Sequence, residues 1–268
     1  MSPPKVLAVF LQYSDAHQAS GMKALSALTT RLFPGSEPSF VIVDNKLDRR
    51  QEAQLAPNVN LISGDNSCRE FSGYDKGVRW HESFGPIAAS TPVIIANDTF
   101  HRHYGDGYLK LFTTERLSRA TVSNAVLGYV DAFPQPQAVF GLEFQKWIRT
   151  SLFIAPYGVI TRLLPFSRSM AQSNLFRGDA DPLFFCEDAP LSPWYKSFIR
   201  SWLFAEAPEE ETFKPEWHSK EPLSASNVGA MRAKALCILC EHAMSAHAKS
   251  LGIPLSAVNE EHLPPHLR

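Results

Sequence analysis

The feature that most restricts this chain is a short apolar run, Val93, Ile94, Ile95 and Ala96, that stops abruptly in Asn97, Asp98 and Thr99. It reads as a buried strand delivering a carboxylate to its C-terminal edge, which is how open α/β sheets place ligand chemistry. Three earlier runs have the same form: residues 6–11 end at Gln12, residues 40–43 at Asp44 and Asn45, and residues 60–63 at Gly64 and Asp65. Leu25, Leu28 and Leu32 recur at helical spacing, predicting a helix over 22–33 that Pro34 and Gly35 stop, with a polar loop over 12–21 before it. A second helix is predicted over 77–84. Strands alternating with helices imply a mainly parallel sheet with right-handed crossovers. In such a sheet all four polar strand ends gather along one edge.

The second half is less regular. The expectations are a helix over 117–129, a strand over 147–154, a short helix over 157–164 and a polar loop over 167–181. An aromatic-rich helix follows over 193–204, then an irregular stretch over 207–224. A long helix spans 227–251, with Met231, Ala235, Ile238 and Met244 on its apolar face. No internal repeat is visible, so the chain reads as one continuous domain.

Charge narrows the function classes. With 26 basic and 27 acidic side chains the net charge is -1, which gives no bulk electrostatic reason to bind nucleic acid. Cys68, Cys186, Cys237 and Cys240 are too few and too scattered for a disulfide-stapled module, so a reducing compartment is expected. The N-terminus reads as a first strand and not as a signal peptide, and no apolar window is long enough for a transmembrane helix. The expected location is therefore the cytoplasm. Peripheral contact at the inner face of the cytoplasmic membrane is one reading of the helix over 193–204, whose aromatics alternate with Lys196 and Arg200. Packing on the core or on another subunit is the other.

Several pieces together resemble the GT-A fold glycosyltransferases, close to the bacterial family 2 enzymes of polysaccharide synthesis. They are Val43-Asp44-Asn45, then Gly73-Tyr74-Asp75-Lys76-Gly77, then Ala96-Asn97-Asp98-Thr99, in family order over residues 5 to 100. The resemblance implies a GT-A-like, Rossmann-like α/β fold: a mainly parallel sheet flanked by helices, with a more helical C-terminal region. Residues 1–115 would be the nucleotide-sugar-binding half and 116–268 the acceptor-side half. It implies transfer of a sugar from a nucleotide-diphosphate donor to a glycan or lipid-linked glycan, with inversion.

By the same resemblance Asp44 would hold the nucleotide's base or ribose. Gln12, Asn45, Asp65, Asn66, Arg69, Asp75, Lys76 and Asn97 would line the donor. Asp98 resembles the last carboxylate of the family's Asp-x-Asp motif, which binds a divalent metal, Mn²⁺ or Mg²⁺, bridging the diphosphate. Asn97 replaces the usual first carboxylate, so His101 or His103 would assist, or cations such as Arg69, Lys76 or Arg102 would neutralise the diphosphate instead. For the base, Phe184-Phe185-Cys186-Glu187-Asp188 has the family's aromatic-then-acidic form; Asp188 comes first, Glu187 second and Glu143 third. Arg149 and Thr150 would touch the acceptor.

Plainer readings stand beside these. Asp44-Asn45 is a common turn opener, Asn97-Asp98-Thr99 a common cap, and Asp75-Lys76 an ordinary exposed helical pair. Cys237-x-x-Cys240-x-His242 lies inside an amphipathic helix with no second ligand pair, so packing is expected there and not zinc. Two other functions fit the pattern: a nucleotidyltransferase on a similar sheet, and a degenerate relative that binds glycan or protein.

Overall fold

In the computed structural model, residues 5–13, 15–102, 106–171, 174–178, 181–204 and 221–267 are described. Eight strands form one mixed sheet: β1 (Lys5–Gln12), β2 (Glu37–Asp44), β3 (Ala53–Ala56), β4 (Val59–Ser63), β5 (Pro92–Asn97), β6 (Val126–Val139), β7 (Leu142–Pro156) and β8 (Leu255–Ala257). Their order is β3-β4-β2-β1-β5-β7-β6-β8. β4, β2, β1 and β5 run parallel, β3 and β7 are antiparallel to their neighbours, and β8 is parallel to β6. The fold is thus a Rossmann-like α/β sheet flanked by helices.

Among the described residues six α-helices flank it: α1 (Asp15–Leu32), α2 (Arg69–Glu82), α3 (Thr114–Val122), α4 (Tyr157–Leu163), α5 (Pro193–Leu203) and α6 (Val228–Ser250). The alternation of side chains along each strand splits the core into two layers. Val6, Ala8 and Phe10 meet Leu25, Leu28 and Leu32 of α1 and Leu117 of α3. Leu7, Val9 and Leu11 meet Phe71, Tyr74 and Val78 of α2, with Cys240 and Met244 of α6 in the same cluster. Gly73 and Gly77 let α2 lie close to β1. A Cβ on Gly73 would sit 2.2 Å from a Leu11 methyl, and one on Gly77 2.5 Å from a Val9 methyl.

Beyond the parallel strands, β6 and β7 form a long hairpin arm. Their register slips sharply: Gly128 faces Phe153, yet Val130 faces Ile148. The slack lies in Arg149, Thr150 and Ser151, where the arm bends away from the main sheet. A separate aromatic core fills the arm. Phe133 lies 4.4 Å from the Trp147 ring, 4.9 Å from Phe198 and 5.6 Å from His242, centroid to centroid.

Several expectations change. The 12–21 loop is instead the start of α1, from Asp15. The helix expected over 117–129 stops at Val122; Asn124 takes a left-handed φ of 50°, and β6 begins two residues later. β3 went unforeseen: it is four residues long and all four are exposed, so it leaves no buried apolar run in the sequence. The 193–204 helix buries Tyr195, Phe198, Ile199 and Leu203 in the aromatic core, as the packing reading expected. Among the described residues no helix is long and apolar enough to cross a membrane.

Candidate functional site

The parallel strands bring their polar ends to one edge, where they are bonded to each other. Gln12 Nε2 donates to Asp44 Oδ2 at 3.1 Å, and the Tyr13 N–H donates to Asp98 Oδ2 at 2.8 Å. The Tyr13 hydroxyl donates to Asn66 Oδ1 at 2.9 Å, and Asn45 Nδ2 reaches the same oxygen at 3.3 Å and the Arg69 carbonyl at 3.1 Å. The ends of β1, β2 and β5 and the loop after β4 are thus one connected set, with Tyr13 at its centre. Burial pushes the Tyr13 phenol above its ordinary range, and the Glu70 carboxylate adds to this. Asp98 is 1% exposed, so its carboxylate is buried beneath the strand ends.

The loop from Gly64 to Cys68 carries backbone strain. Asn66 and Arg69 take φ of 51° and 45°, a region that costs a long side chain such as arginine on the order of 1 kcal/mol. Asp65 Oδ1 accepts from the Ser67 N–H at 3.0 Å and its hydroxyl at 2.9 Å, holding the turn. Arg69 stays exposed at the lip. Across from it on α6, Lys234 is half-buried, and burial with the neighbouring Arg69 charge lowers its pKa.

Other sequence candidates are occupied elsewhere. The Asp75 carboxylate is buried in the core side of α2. It accepts from the Phe166 N–H at 2.6 Å, the Ser167 N–H at 3.1 Å and the Ser167 hydroxyl at 2.5 Å, capping the turn Phe166–Ala171. The Gly73–Gly77 segment is therefore helix packing and not a nucleotide-facing loop. Lys76 Nζ bonds the Ser63 carbonyl and reaches Glu52 at 3.9 Å, on the outer side of β4. Asn97 Oδ1 caps the following turn through the Thr99 N–H at 3.2 Å.

The metal expectation meets a poor donor set. The His101 ring turns to Ser20 Oγ at 3.0 Å, and His103 lies outside the described residues. The described residues hold no group of three His, Cys, Asp or Glu side chains arranged to bind a metal ion. They do not by themselves build a divalent site around Asp98. Nor do Cys237, Cys240 and His242 converge: they face Glu70, Cys68 and the Tyr195 hydroxyl respectively. His242 is fully buried, and burial drops its pKa to about 3, so it is a neutral core histidine.

The candidate bases stand apart from the crevice set. Glu187 and Asp188 are exposed beside α5, where Lys196 Nζ holds the Glu187 carbonyl at 2.7 Å. Glu143 is at the β6–β7 turn in an exposed ion pair with Lys249 at 2.6 Å. Arg149 grips Asp131 through two bonds of 2.6 and 3.1 Å and lies over the Tyr129 ring. Thr150 is bonded to α6: its N–H and hydroxyl donate to Glu241 Oε2 at 2.8 and 2.7 Å.

Two carboxyls went unforeseen. Burial lifts Glu241 to about 7, against the pull of the Thr150 bonds, and it raises Glu70 as well. Both stay partly accessible to solvent. The signal for Glu241 was present: a lone acid in the apolar helical run Ala235-Leu236-Cys237-Ile238-Leu239-Cys240.

No protein-family model matches the chain, and no curated protein matches it in sequence. Among solved structures, 4-diphosphocytidyl-2C-methyl-D-erythritol synthase superposes with a TM-score of 0.36 and 11% identity, over 64% of this chain and 83% of that one. A likeness this slight assigns neither function nor ligand.

Proposed function

We propose that this chain is a GT-A-like glycosyltransferase that moves a sugar from a nucleoside-diphosphate donor to a glycan or lipid-linked glycan acceptor. One observation carries the reading: the parallel strand ends are cross-bonded through Gln12–Asp44, Tyr13–Asp98 and Tyr13–Asn66–Asn45 into a single crevice floor. That edge is where a parallel sheet presents ligand groups. Asp44, Asn45 and Asn66 offer amide and carboxylate groups suited to a base and ribose. Arg69 and Lys234 supply positive charge for the diphosphate, whose departure builds negative charge in the transition state. Asp98 is fixed by the Tyr13 N–H and accepts from a donor hydroxyl.

The test is a thermal shift with nucleoside diphosphates and sugar nucleotides, with and without Mn²⁺, followed by nucleoside-diphosphate release. A ligand at a hundred times its dissociation constant adds roughly 2.7 kcal/mol of stability. A nucleotide-selective rise is expected without Mn²⁺. Asp98→Asn keeps an oxygen for the Tyr13 N–H, so it should fold yet lose roughly 100-fold in turnover. A rise that requires Mn²⁺ would mean that a metal enters with the donor phosphates and Asp98 anchors it. Pyrophosphate release from a nucleoside triphosphate would replace this reading with nucleotidyl transfer. No shift with any nucleotide would leave a glycan- or protein-binding module.

A further inference from the structure

We propose that Glu241 is the general base of this site, held in place by Thr150. The inference rests on the glycosyltransferase reading and adds to it the group that takes the acceptor's proton.

Geometry brings Glu241 to the crevice. On α6, one turn before Glu241, Cys237 Sγ meets Glu70 of α2 at 3.7 Å, and the Glu70 carboxyl in turn feels the charge of Asp98. Thr150 fixes one oxygen of Glu241, Oε2, with both its N–H and its hydroxyl. Oε1 takes no hydrogen bond among the described residues, and Glu241 keeps some solvent exposure. A carboxylate with one oxygen pinned and the other open is oriented for proton transfer. The Tyr74 hydroxyl donates to the Thr150 carbonyl at 3.1 Å, which locks the supporting strand from the α2 side.

The surroundings suit a base that works near neutral pH. Burial is the main cause of the raised carboxyl, and the charges of Asp131 and Glu70 add to it. Asp131 faces it from β6 with Arg149 as its counter-charge, and Glu70 faces it from α2. Tyr74 on α2 and Tyr195 on α5 also feel its charge, and burial keeps both phenols protonated. Neither Glu187 nor Asp188 has such a setting, being exposed beside α5.

The step balances. The acceptor oxygen forms a bond to the anomeric carbon of the donor as its proton passes to Glu241 Oε1. The bond from that carbon to the β-phosphate oxygen breaks, and its electron pair leaves with the nucleoside diphosphate beside Arg69 and Lys234. Glu241 then returns its proton to water.

The experiment follows nucleoside-diphosphate release from UDP-glucose, UDP-N-acetylglucosamine and GDP-mannose with water as acceptor, beside thermal shift with UDP and GDP. In wild type the rate should rise with pH through about 7, because the base works only when deprotonated. Glu241→Gln should lower kcat at pH 8 by roughly 100-fold or more and flatten the profile, while the nucleotide shift is unchanged. Thr150→Val removes the hydroxyl bond that lowers the carboxyl, so the midpoint of the profile should move to higher pH, with folding and nucleotide shift retained. That readout also covers a Glu241→Gln protein that folds poorly. A Glu241→Gln enzyme within about threefold of wild type, with its nucleotide shift intact, overturns Glu241 as base and leaves the donor site standing. A loss seen with Glu70→Gln in its place moves the base to α2. No nucleotide shift in wild type brings down the glycosyltransferase reading and this assignment together.

Discussion

The parallel strands and the β6–β7 arm use polar side chains in opposite ways. At the ends of β1, β2 and β5, polar groups bond to each other across strands yet stay at a crevice, around Tyr13. In the arm, polar groups are spent on internal closure. Arg149 is held by Asp131, the Ser192 hydroxyl donates to Gln137 at 2.8 Å, and His242 is sealed among aromatic rings. The arm is scaffold, and where its register slips Thr150 is bonded to Glu241 of the helix packed on it. A polar residue's role thus follows from whether the backbone beside it ends or continues. Strand ends let polar groups be satisfied across strands, as for the buried Gln12, Asp44 and Asp98, whereas strand interiors must satisfy them at once.

That contrast can be broken most sharply in the aromatic core. Phe133→Ala removes a ring packed against Trp147, Phe198 and His242 and should cost about 3–5 kcal/mol, read by denaturant unfolding. Nucleotide shift, measured well below the lowered melting point, should persist. Loss of binding at equal folding would mean that the arm shapes the donor site directly. Asp75→Ala comes next. It orphans the N–H groups of Phe166 and Ser167 and should cost roughly 1–3 kcal/mol, again with nucleotide affinity retained. Weakened affinity without lost stability would restore Asp75 to the donor site. The smallest effect belongs to the double variant Glu187→Gln with Asp188→Asn. Both side chains are exposed, so stability should stay within about 0.5 kcal/mol and turnover within about twofold. A large loss of turnover would return the base to α5's neighbourhood and count against Glu241.

These two regions also differ in how far the sequence reveals them. The parallel strands announce themselves, since continuous apolar runs with polar stops have few other solutions. The ends of helices do not. α2 starts at Arg69 in a left-handed turn with no side-chain cap, so residues 69–76 look like a loop when read in one dimension. β6 carries Pro134 and Pro136, which disguise a strand of fourteen residues. Asp98 was legible because it ends a strand. Glu241 was half legible: a lone acid in an apolar helical run marks it, but its bond to Thr150, 91 positions away, is encoded by no local pattern.

The two glycines of α2 have one more consequence. Leu11 and Val9 fill the places where their side chains would begin. The distance between α2 and β1 is therefore written in atoms that are not there. A methyl at either place would act as a shim, tilting the helix whose first turn carries Arg69 and Glu70 while Asp98 stayed fixed just past β5. The seating of α2 is thus calibrated from beneath, by two side chains of β1.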